Sequence, residues 1–111
     1  MAFQNVIGNR LAQAELTTSY VTVYTTPLLT RTYVKNIDIC NTTSGALSFY
    51  ISLVPSGNTA GTANALFYNT SIPANTTVQW TGSEILTPGD LISVKASAVG
   101  VTVTITGGEA T

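Results

Sequence analysis

The sequence has no histidine, a single cysteine, and nine charged side chains in 111 residues. Each shortage excludes something. Without histidine, the chain lacks the commonest general base, the commonest metal ligand and the Ser-His and Cys-His nucleophile pairs. With Cys40 alone, no internal disulfide can form; its place in the apolar run Ile37-Asp38-Ile39-Cys40 predicts a small buried hydrophobe, with no cationic neighbour to activate the thiol. The four basic residues, Arg10, Arg31, Lys35 and Lys95, are scattered, and the net charge is −1. Nucleic acid needs several cations near phosphates, and a polybasic membrane anchor needs a cluster, so neither partner is expected. No window approaches the run of about 18 apolar residues that spans a bilayer. The first ten residues carry neither a charged nor an apolar segment of the secretory kind, so the expectation is a protein made and folded in a cytoplasm.

The five acids are Glu15, Asp38, Glu84, Asp90 and Glu109, and no two share a strand face at i, i+2. A carboxylate pair for glycoside hydrolysis is therefore not expected. Nothing resembles a calcium loop or a phosphate cradle; Gly57 and Gly61 precede neither a lysine nor a helix. No cofactor, metal or catalytic residue is expected, and the chain does not read as an enzyme. Asn41, Asn69 and Asn75 each open an Asn-x-Thr/Ser triplet, which in a chain this rich in Thr and without a signal segment carries no weight.

What is present is threonine, at twenty positions, and alternation. Charge makes up 8% of the chain, against about 25% in an ordinary soluble domain, and hydroxyl groups take its place. β-Branched side chains suit a pleated surface and disfavour helices. Period-two patterning bounded by turn residues predicts strands over 10–16, 20–25, 31–40, 46–54, 65–72, 76–81, 91–98 and 101–106, with a short apolar stretch at 84–86. Residues 1–9 read as a polar N-terminal arm, in which Phe3, Gln4, Asn5, Val6 and Ile7 are candidate assembly residues. Residues 10–111 read as one domain, a size that supports a single hydrophobic core. Leu47, Phe49, Ile51 and Leu53 fall on one face of their strand, and Tyr50 and Val54 on the other. Pro88-Gly89-Asp90 predicts a structural turn, Pro presetting φ and Gly accepting a positive φ. Gly107-Gly108 is expected to release the tail. Tyr50 and Trp80 are the candidate interface or ring-stacking aromatics, the alternative for Trp80 being a place in the core.

About eight strands at this spacing, with no helix, predict an all-β antiparallel sandwich, either a jelly roll or an immunoglobulin-like fold. The absent Cys…Trp…Cys spacing favours the jelly roll. A near-neutral surface does not keep molecules apart, so the chain suits an assembly better than free diffusion.

Four segments resemble small virion proteins of tailed bacteriophages: Leu53-Val54-Pro55-Ser56-Gly57, then Ala63 to Tyr68, Ile72-Pro73-Ala74-Asn75, and Ile85 to Val94. The similarity runs from about Leu11 to Glu109. It implies a β-sandwich that decorates or cements a capsid, or sits on a neck, tail or fibre, and hence a virion location. The first reading is a capsid decoration protein, a homotrimer bound to the major capsid protein, with the arm reaching a neighbouring subunit. The second is a neck, tail or fibre module able to bind a receptor glycan; the third is a carbohydrate-binding module.

Overall fold

The alternating segments form eight strands in the computed structural model, which describes residues 6–111: β1 (Val6–Glu15), β2 (Val21–Thr25), β3 (Arg31–Asn41), β4 (Leu47–Val54), β5 (Ala65–Ile72), β6 (Thr76–Leu86), β7 (Leu91–Ala96) and β8 (Val101–Ala110). One 3₁₀ turn, Thr62–Asn64, interrupts the longest loop. The strands make two four-stranded antiparallel sheets, ordered β1-β8-β3-β6 and β2-β7-β4-β5. Strand 1 thus pairs with 8, 2 with 7, 3 with 6 and 4 with 5. That nesting is the jelly roll; an immunoglobulin-like sandwich would place strands 1, 2, 4 and 5 in one sheet.

The core lies between the sheets. Val34, Ile37 and Ile39 of β3, and Val101, Val103 and Ile105 of β8, face Phe49 and Ile51 of β4 and Ile92, Val94 and Ala96 of β7, all of them buried. The Phe49 and Phe67 rings meet with centroids 5.0 Å apart. Val54 lies on the Tyr50 side of β4 yet is also buried, because the loop over 55–64 folds back across this end of the sheet; the Gly61 carbonyl comes within 3.5 Å of Ser52 Oγ.

Three strands extend beyond the sequence-based bounds by four residues or more, each for a backbone reason, and β7 ends at Ala96 rather than at residue 98. Val6 to Asn9, expected in the arm, are paired in β1 with Ala110 to Gly107; the rest of the expected arm, including Phe3, Gln4 and Asn5, lies outside the described residues. β8 does not stop at the two glycines. It runs on to Ala110, and a Cβ at Gly107 would collide with the Tyr33 carbonyl, so this glycine serves close strand approach rather than release. β6 continues through Gly82 and Ser83 to Leu86 by a shift in register opposite Lys35. β1 bulges at the same level, between Arg10 and Ala12, so the first sheet bends along one line.

Cys40 also departs from expectation. It is half-buried, because Ile39 and Asn41 take the inward positions and leave Cys40 between Thr77 and Thr102 on the hydroxyl-bearing face.

Candidate functional site

Cross-strand register, not sequence proximity, builds the surfaces of this molecule. On the outer face of the second sheet, Tyr50 of β4 stands directly opposite Lys95 of β7. Tyr20, just before β2, lies edge-to-face with Tyr50 at 6.2 Å, and Tyr68 of β5 does the same from the other side at 5.1 Å. The Lys95 ammonium sits 4.6 Å from the Tyr50 ring centroid and 5.2 Å from that of Tyr20, a cation–π arrangement. β5 carries one extra residue here, so Tyr68 and Asn69 together oppose Tyr50. Asn69 takes φ 50°, and its Oδ1 accepts a hydrogen bond from the Tyr50 hydroxyl at 3.1 Å. Tyr68 is left 53% exposed.

Trp80 is not part of this row. It lies on β6 of the other sheet, beside Ile37, half-buried against the core. Its indole covers Gly82, where a Cβ would come within 2.9 Å of Cζ2. The two candidate aromatics therefore occupy different sheets, Tyr50 on an outer face and Trp80 against the interior.

A second surface gathers at one end of the sandwich. The β2–β3 connection presents Leu28 and Leu29, 83% and 87% exposed, and Leu29 holds φ 56°, which is unfavourable for a branched side chain. Exposed Ile7 and Ile85 lie at the same end, near the start of β1 and the end of β6. The Thr87–Asp90 turn stands beside them. Asp90 N–H donates to the Thr87 carbonyl at 3.0 Å, Gly89 has φ 88°, and Gly89 N–H reaches the Thr26 carbonyl at 3.0 Å. The Asp90 carboxylate accepts from the backbone N–H groups of Thr87 and Ser56, both at 2.9 Å, so it fastens this turn to the loop after β4. Pro88, Gly89 and Asp90 thus anchor the base on which the leucines are carried.

A third polar group ties the sheets together. The Tyr24 hydroxyl donates to Glu109 Oε2 at 2.6 Å and lies 2.7 Å from Thr32 Oγ1. Burial, then the hydrogen bond to the Glu109 carboxylate, pushes the phenol up to about 12. No local pattern in the sequence reveals this group, because Glu109 is 85 residues from Tyr24 and no spacing rule links them.

Among the described residues, no cluster of three or more His, Cys, Asp or Glu side chains is placed to hold a metal, and no helix is long and apolar enough to cross a membrane.

Comparison with protein-family models gives no match, and comparison with curated protein sequences gives none either. Solved structures do give matches. A chain of the Bacillus endospore appendages, which form disulfide-linked pili, is similar with a TM-score of 0.53 and 11% identity, over 96% of this chain and 88% of that one. A chain of the T13 particle of IBDV is similar with a TM-score of 0.50 and 11% identity, over 96% of this chain and 30% of that one. At such identity both likenesses concern the fold alone.

Proposed function

We propose that this chain is a non-enzymatic structural protein of a virion, which works by docking to copies of itself and to a larger shell protein. The observation that carries this reading is the apolar end of the sandwich. Leu28 and Leu29 are exposed side by side on one loop, and Ile7 and Ile85 are exposed at the same end on the two outer strands of the first sheet. Exposed large apolar residues grouped in this way mark a contact surface. A leucine held at positive φ is costly in a free loop, and such strain persists where the surroundings fix it and function uses it. The likeness of fold to a chain of a viral particle supports the same reading.

The finer assignment is a capsid decoration protein, a homotrimer cementing joints in the shell, with residues ahead of β1 reaching a neighbour. A place on the neck, tail or fibre is its alternative. Particle stoichiometry separates them: decoration requires a copy at every repeated shell site, whereas a neck or tail position requires only a ring. A count limited to one ring per particle overturns decoration. Absence from purified particles overturns the virion reading.

A pilus subunit is a second reading, favoured by the likeness to the endospore appendage over most of both chains. Those pili are disulfide-linked; the described residues here hold one cysteine, Cys40, half-buried near the end of β3.

A further inference from the structure

The tyrosine row on the second sheet is far from the leucine-bearing end and is not used by the docking described above. Its charge is unusual. Glu15, Asp38, Glu84 and Glu109 all belong to strands of the first sheet, and the Asp90 carboxylate is engaged with backbone N–H groups. Among the described residues, Lys95 meets only the π faces of Tyr20 and Tyr50, with no carboxylate partner. The outer face of this sheet is therefore an isolated positive charge set among aromatic rings. Beside it, Tyr68 offers a half-open ring, and Asn69, whose Oδ1 is taken by Tyr50, has its amide hydrogens to spare.

We propose that this row binds an acidic sugar: a pyranose bearing a carboxylate, as in a uronic-acid polysaccharide. The sugar's C–H face stacks on Tyr68, its carboxylate pairs with the Lys95 ammonium, and a ring hydroxyl accepts from Asn69 Nδ2. The dimensions agree. Nζ of Lys95 and the Tyr68 ring both lie about 5 Å from the Tyr50 centroid, so one or two sugar rings cover both. Other occupants fit less well. The centre of a protein interface is depleted of charge, whereas this row is centred on the Lys95 ammonium. Nucleic acid needs several cations, and this face has one. A carboxylate on a ring with an apolar face matches both the unpaired charge and the platform.

The test uses the full chain in titrations followed by nuclear magnetic resonance, with an oligogalacturonate as probe and a neutral oligogalactose of equal length as control. The acidic probe is expected to shift the signals of Tyr68, Asn69 and Lys95 with a dissociation constant of about 1 mM or below. Lys95→Gln should weaken binding at least about tenfold and erase the preference over the neutral sugar, as loss of a charge-assisted hydrogen bond does. Tyr68→Ala, a surface change that leaves the core untouched, should weaken both sugars. The proposal is overturned by equal binding of acidic and neutral probes, by shifts confined to other faces, by no shifts at all, or by binding that survives both substitutions. None of these results bears on the docking reading, which rests on other residues.

Discussion

The Tyr24 hydroxyl and the Glu109 carboxylate are 2.6 Å apart and belong to opposite sheets, so one hydrogen bond bridges the two layers of the sandwich. The bond requires a protonated phenol. In the unfolded chain Tyr24 titrates near 10; in the folded one it is raised to about 12, first by burial and then by Glu109. A group raised in this way contributes fully below the unfolded value and loses its contribution as pH climbs through the folded one. Stability should therefore fall between pH 10 and pH 12. Tyr24→Phe should lower stability at neutral pH and make that alkaline decline shallower. Urea midpoints measured across this window for both proteins check the prediction, and parallel declines would show the bridge contributes nothing there.

Asn41 is fully buried and serves three carbonyls, with Nδ2 at 2.8 Å from Gly45 O, 3.1 Å from Ile72 O and 3.2 Å from Pro73 O, while Oδ1 accepts from the Thr43 N–H at 3.0 Å. It holds two turns to the end of β3. Asn41→Ala strands these groups and should cost about 2–3 kcal/mol. Chemical denaturation measures this, and an unchanged midpoint would mean that water replaces the amide.

Phe49 is fully buried against Phe67 and the facing sheet. Phe49→Ala should cost about 3–5 kcal/mol, the usual loss for emptying an aromatic site. A thermal midpoint within experimental error of the parent would contradict the packing.

Gly107→Ala places a methyl group against the Tyr33 carbonyl in the middle of the first sheet. The strands must separate or the chain must shift register, so the variant should melt well below the parent. Wild-type melting would show that β8 has room at this level.

Leu29→Gly removes both an exposed side chain and a positive-φ penalty of about 1–2 kcal/mol. The variant should be more stable as an isolated chain and poorer at self-association. Light scattering together with thermal melting reads both quantities, and undiminished association would remove Leu29 from the contact.

Much of the fold was legible because alternation reports directly on a half-buried strand. β5 begins and ends where Ala65 and Ile72 suggested, and all eight strands appear. Glycine hides two of the larger strand extensions. Gly82 and Gly107 look like breaks in a sequence, yet each lies inside a strand, one under the Trp80 ring and one against a neighbouring backbone. The choice between jelly roll and immunoglobulin-like sandwich depended on pairings such as Arg10 with Thr106, which no local pattern encodes. The tyrosine row was half visible. Tyr50 stands out in the sequence, but Tyr20, Tyr68 and Lys95 join it only through register and through a bulge at Asn69.

β8 follows the other seven strands along the chain, yet it is flanked on both sides, by β1 and by β3. The earlier strands of that sheet must wait, edges unsatisfied, for a segment about sixty to a hundred residues downstream to thread between them. Closing so wide a loop is entropically slow, and folding of such topologies is paced in milliseconds to seconds rather than microseconds. During that delay β1 and β3 offer open hydrogen-bonding edges to any neighbouring chain, so crowded synthesis is the moment at which this molecule is most exposed to mispairing.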